Sequence, residues 1–206
     1  EADEYLPELR PPLEAQLIDL ADEVAYNTAD LDDAYSAGLV RLDEILAHVP
    51  LFADACATVE TRFPGADDRL RFHESLRVLF DELVSGLIEG TLDAANQAEA
   101  ESYLDVRHHP ARLAAFTPAT EAASHTLKMF LHGYVYNSIP LAAARNLCRS
   151  MIAELFGHYL ENPKLLPEPY QSQVKAAPPH RVVCDYIAGM TDPFFRRTYE
   201  EILGKT

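Results

Sequence analysis

The 206-residue sequence predicts an all-α fold, irregular rather than a symmetric bundle. Three observations carry this expectation. Apolar residues recur every three or four positions in segment after segment, the period of a helix with one buried face. No stretch alternates apolar and polar residues as a half-buried strand would. Prolines and glycines fall mostly between the periodic segments, where they stop helices rather than kink them. No internal repeat is visible.

Taken in order, the first helix spans residues 13 to 36. Its apolar positions are Leu13, Leu17, Leu20, Ala21, Val24, Thr28 and Leu31. Pro11 and Pro12 sit where a first turn tolerates proline, and Gly38 closes the segment. A short helix, LVRLDEILAH, runs up to Pro50, and LFADACATVETRF forms the next. Pro64-Gly65 breaks the chain. Asp67 and Asp68 are placed to cap a long helix that ends at Gly90. Its expected apolar face is Leu70, Leu76, Leu79, Phe80, Leu83, Leu87 and Ile88. Residues 91 to 118 read as short helix mixed with loop. Thr120 opens a helix reaching about Val135. Pro140 is a first-turn proline for another, which turns Leu147, Met151, Leu155, Phe156 and Tyr159 inward. ENPKLLPEPYQSQVKAAPPH is a proline-rich connection. RVVCDYIAGMTDPFFRRTYEEIL returns to helix, with a break at Thr191-Asp192-Pro193.

Composition narrows the function. Hydrophobic residues are 48% of the chain, enough for one sizeable core or two small ones. With 33 acidic and 17 basic residues the formal charge is -16. Such a surface repels nucleic acid and anionic membrane, so neither is an expected partner. A phosphate-bearing ligand then needs a metal or a local Arg/Lys cluster. Cys56, Cys148 and Cys184 are odd in number and lack zinc spacing, as expected of free thiols in a reducing cytosol. No apolar run reaches transmembrane length, so a soluble, cytoplasmic protein is expected. The chain opens on Glu1 and the proline-rich lead LPELRPP, which reads as a processed product or a piece of a longer chain. No Gly-rich phosphate loop and no GxSxG elbow occurs.

The segment DLADEVAYNTADLDD, residues 19 to 33, holds six carboxylates. At about 100° per residue, Asp19, Asp22, Tyr26, Asp30 and Asp33 share one narrow helix face. A solvated acidic stripe is the simplest reading of such a face. Carboxylates four and eight residues apart repel one another unless a cation or hydrogen-bond donor offsets them, however. Tyr26, midway between Asp22 and Asp30, is also a poor choice for a purely solvated stripe. Hard cations take oxygen ligands, and one helical Asp can supply one. No histidine is followed by Asp, and no two histidines share convincing ligand spacing.

LEAQLIDLADEVAYNTADLDDAYSAGL resembles the last helix of the HD-domain deoxynucleoside triphosphate triphosphohydrolases, the dGTPase-like family. The resemblance continues in RFHESLRVLFDELVSGLIEGT, in LKMFLHGYVY and in the tail RVVCDYIAGMTD, so it covers almost the whole chain in the family's order. ADEVAYNTADLDDA and DYIAGMTD are its most specific parts. The resemblance implies an HD-type fold whose metal is held by a His, a His-Asp pair and a distant Asp. The distant Asp carries over to Asp22. The Tyr that packs on the deoxyribose carries over to Tyr26, and the Asp that hydrogen-bonds the sugar 3′-hydroxyl carries over to Asp30. Asp19, Asp32 and Asp33 remain surface charge. The family's His, His-Asp and catalytic His/Glu residues lie upstream of this helix and are missing here, so no catalytic residue is assigned. TDPFF also departs from relatives that carry Arg after the Asp.

The chain therefore resembles the C-terminal portion of such an enzyme. Residues 1–48 would be the last helices of the metal domain, and residues 49–206 the family's helical C-terminal region. The implied reaction converts a dNTP, dGTP first among them, and water to deoxynucleoside and triphosphate, by attack of water on the α-phosphorus near Mg or Mn. The implied assembly is a homo-oligomer. Alone, the chain is expected to be inactive. The competing readings are a non-catalytic nucleotide-binding or assembly module derived from the HD family, and a purely structural helical domain.

Arg69, Arg71, His73 and Arg77 form a basic cluster that could meet triphosphate, with Arg71 and Arg77 as substrate-binding residues. The same arginines could simply pair with Asp67, Asp68 and Glu74. Lys128 is open in the same way. Arg181, Asp185 and Tyr186 suit packing or subunit contact at least as well as chemistry. Phe130, Tyr134, Tyr136, Phe156 and Tyr159 read as core rather than as a base-stacking platform.

Overall fold

A computed structural model describes residues 8–204; the start of the proline-rich lead, Leu6 and Pro7, lies outside them. The described residues form ten α-helices and no strand, in agreement with the all-α expectation. The chain divides between Ser138 and Ile139 into two compact units.

In the first unit, α1 (Leu13–Ser36) follows Pro12 and ends before Gly38, whose φ of +68° suits a residue without a side chain. α1 buries Val24, Thr28, Leu31 and Ala34, and also Gln16 and Asn27, while Ala21 is exposed. Fully burying Val24 or Leu31 contributes about 1.5–3 kcal/mol each. α2 (Leu42–His48) and α3 (Pro50–Arg62) follow. Asp67 caps α4 (Asp68–Gln97), its carboxylate accepting from the Leu70 amide at 2.8 Å.

Two expectations for α4 need correction. The helix runs through Gly90 rather than ending there. A Cβ on Gly90 would lie 2.3 Å from the Phe116 carbonyl carbon, and one on Gly86 2.0 Å from Thr120 Oγ1. Both glycines therefore serve close crossing by the chain at 116–120. The buried face is Phe72, Ser75, Leu79, Leu83 and Leu87, whereas Leu70, Phe80 and Ile88 are exposed.

α1 and α4 run in opposite directions. Tyr35 stacks on Phe72 at 3.8 Å at one end. At the other end both helices grip residues 113–115. Gln16 Oε1 accepts from the Leu113 amide at 2.8 Å, and Thr91 Oγ1 accepts from the Ala115 amide at 3.2 Å. α5 (Tyr103–His108) precedes that loop, and α6 (Pro118–Phe130) continues directly into a π-helical turn, Leu131–Tyr136.

In the second unit, α7 (Ile139–Glu161) buries Leu155 and Tyr159 but leaves Leu147 exposed. The proline-rich connection is more ordered than expected, holding a 3₁₀ turn, Pro163–Leu165, and α8 (Glu168–Gln173). Proline is acceptable in a first helical turn, where its missing N–H has no partner to lose. α9 (Pro179–Ala188) and α10 (Asp192–Leu203) are separated at the expected break. Leu155, Tyr159, Leu166, Val182, Val183 and Tyr186 form this unit's core.

Candidate functional site

α1 presents Asp22, Tyr26 and Asp30 away from its buried stripe. Asp22 is exposed and has no hydrogen-bond or ion-pair partner among the described residues. Tyr26 is 62% exposed, a large amphipathic ring open to a ligand. Asp30 is half-buried and accepts a hydrogen bond from the Tyr136 hydroxyl. Burial first, and then this carboxylate, push the Tyr136 phenol well above its usual range, so the hydroxyl stays a donor.

Tyr136 belongs to the π-helical turn, a local geometry often found at functional sites. The same turn places Tyr134 Oη 2.7 Å from His48 Nε2. Lys128 reaches α1 as well, with Nζ 3.1 Å from Glu23. The site face is therefore α1 flanked by the end of α6 and the π turn. Phe130 is buried as expected, but Tyr134 is 40% exposed and Tyr136 only half-buried, so neither is a core side chain. The phenol polar tips explain this, since each needs a partner or water.

The basic cluster lies elsewhere. Arg71 bonds Glu60, lies 3.3 Å from Asp68, and places Nη2 3.7 Å from Cys56 Sγ. The Cys56 contact is the first cause of its raised pKa. Arg77 is exposed and pairs with Glu74 at 2.7 Å. Arg71 lines a cleft with Tyr35, Arg41 and His73, near the end of α1. Arg77 lines a shallower one with Ala25, Ala29 and Phe80. Neither cleft includes Asp22, Tyr26 or Asp30.

Among the remaining acids, Asp19 lies 3.4 Å from Arg112, and Asp32 lies 3.4 Å from His73 Nδ1. In the tail motif, Arg181 Nε donates to Asp185 at 2.9 and 3.0 Å on α9. Tyr186 packs against Tyr159 and Tyr170 at ring separations of 5.4 and 4.8 Å.

No three His, Cys, Asp or Glu side chains among the described residues converge as a metal site. Asp22 is one carboxylate, and a lone carboxylate leaves a divalent ion mostly hydrated. The residues present thus do not make a metal centre by themselves.

Residues 114–201 match the phosphohydrolase-associated domain. A deoxyguanosinetriphosphate triphosphohydrolase-like protein of Ralstonia nicotianae is 38% identical over 96% of this chain and 50% of its own length. Proteins of the same description from Geobacter metallireducens and Caulobacter sp. are 34% and 39% identical, over 96% and 88% of this chain and 52% and 46% of their own. The chain is thus similar to proteins of this description and corresponds to a C-terminal portion of them. It spans about half the length of the curated relatives it matches.

Proposed function

We propose that this chain is the nucleotide-facing C-terminal part of a dNTP triphosphohydrolase. The whole protein would convert dNTP and water to deoxynucleoside and triphosphate. Water oxygen bonds the α-phosphorus, the bond to the 5′-oxygen breaks, and a proton ends on the 5′-hydroxyl. The observation that carries the proposal is the α1 ridge: Asp22 with no partner among the described residues, an open Tyr26 ring and Asp30 held by Tyr136.

In this reading Tyr26 packs beside the sugar and disfavours a 2′-hydroxyl, while Asp30 accepts from the 3′-hydroxyl. Tyr136 fixes the Asp30 rotamer, which lowers the entropy lost on binding. Asp22 is one ligand of a divalent ion, Mg or Mn, whose other ligands lie outside these 206 residues. Residues 1–48 then form the last part of the metal domain and residues 49–206 its helical C-terminal region. dGTP is the first substrate to test. The protein is cytoplasmic and homo-oligomeric in this proposal; no helix among the described residues is long and apolar enough to cross a membrane. Arg71 and Arg77 would reach triphosphate only by leaving their carboxylate partners.

The test is triphosphate release from the four dNTPs with Mg²⁺ or Mn²⁺. A protein of the relatives' full length that contains this segment should release triphosphate, and the 206-residue chain should not. Tyr26→Ala should retain metal and narrow the gap between dGTP and GTP in kcat/KM. If both nucleotides fall equally, Tyr26 packs rather than selects. No turnover in a metal-loaded full-length protein would favour the non-catalytic binding or assembly module.

A further inference from the structure

The second unit contains a groove of about 440 Å³ that the nucleotide face does not use. α7 lines it with Leu147, Met151 and Ile152, α9 with Ile187, and α10 with Phe195. Four sulfur-bearing residues also line it, Cys148, Met151, Cys184 and Met190, out of three cysteines and three methionines in the chain. Thioether and thiol groups are polarisable, and methionine adapts its shape, so such walls mould to varied apolar ligands. A volume of this order suits a small molecule.

Two charged residues also line the groove. Arg196 lines it and has neither an ion-pair nor a hydrogen-bond partner among the described residues. Asp192 lines it too, one helical turn earlier at the start of α10, where the helix dipole favours its carboxylate. No ion pair joins the two, although their spacing permits one. The guanidinium therefore remains available to an incoming anion. Arginine offers a planar fork of donors that matches a carboxylate bidentately.

We infer that this groove binds a small amphipathic organic acid, its apolar body among Met151, Ile187 and Phe195 and its carboxylate on Arg196. Arg196, the cation among these lining residues, favours an acid as the occupant. An uncharged ligand leaves Arg196 unused, and a cation meets it with like charge. Asp192 opposes the bound anion and limits affinity.

The experiment titrates the 206-residue chain with decanoate below its micelle concentration, with decanol as the uncharged comparison, by calorimetry. Saturable decanoate binding is expected. Arg196→Gln should weaken decanoate about tenfold and leave decanol unchanged, the loss of one charge-assisted pair. Asp192→Asn should tighten decanoate several-fold. Ile187→Trp fills the groove and should abolish binding; Leu147→Trp, at a 63% exposed rim position, does so without touching the core. Decanoate should also slow maleimide labelling of Cys148 and Cys184, which are exposed, while Cys56 is buried. Binding that ignores Arg196 and both tryptophan variants would overturn the inference. So would absence of binding, including the result that Leu147→Glu dissociates a dimer whose subunits cover the groove.

Discussion

The two compact units differ most in charge. Residues 1–138 carry 26 Asp/Glu against nine Lys/Arg, and residues 139–206 carry seven against eight. Of the formal charge of -16, the first unit therefore contributes -17 and the second +1. The acid excess is thus a property of one unit, the one that bears the Asp22, Tyr26 and Asp30 face. A triphosphate approaching that unit meets a repulsive field, so binding there depends on cations at the site itself. The second unit has no such field, and its apolar groove is lined by Arg196, which has no partner among the described residues. The two candidate ligand surfaces thus differ in charge and in polarity.

The core substitutions test whether the units are stabilised separately. Phe72→Ala in the first unit should cost about 3–5 kcal/mol, and Leu155→Ala in the second about 2–5 kcal/mol. Both side chains are fully buried. Calorimetry should assign the two losses to different transitions; a single transition shifted alike by both would erase the distinction.

Gly90→Ala comes next. Its Cβ meets the Phe116 backbone, which cannot swing aside, so about 1–3 kcal/mol should be lost. Gly133→Ala, with open space at the Cβ position, is the comparison and should not destabilise in this way. Equal melting temperatures for these two variants would contradict the crossing.

The smallest effect is a titration difference. Tyr159, buried beside Tyr186, has its pKa pushed up to about 12. A raised folded pKa favours the protonated phenol. Its stabilisation is complete below the unfolded value of about 10 and is lost as pH rises through the folded one. Tyr136 in the first unit is shifted the same way, by burial and by Asp30. Phenolate absorbance should show both lagging the exposed tyrosines. In Tyr136→Phe one late phenol should vanish while the Tyr159 signal stays.

Much of this fold was legible in the sequence because its signals are local. The bounds of α1 follow from apolar period, preceding prolines and Gly38, and Asp67 caps α4 as its type suggests. The errors concern long-range contact. Gly90 reads as a terminator, yet it marks a crossing that only chain 116–120 reveals. Phe80 and Ile88 read as part of the apolar face of α4, but the buried face carries Ser75 and Gly86 instead. On the candidate site, Asp22, Tyr26 and Asp30 came from acid density and family resemblance. The Tyr136 partner of Asp30 is 106 residues away and belongs to a π turn, which no local pattern announces.

Asp22 and Asp33 provide the most direct test, because both are exposed acids on one face of α1. In a metal-loaded protein of the relatives' full length, Asp22→Ala should lose bound metal and dGTP turnover together. Asp33→Ala should retain both within about twofold, as expected for an exposed charge worth roughly 0–1 kcal/mol. Equal metal content and equal kcat/KM in the two variants would contradict the assignment of Asp22 and, with it, the account of the α1 ridge as a nucleotide site.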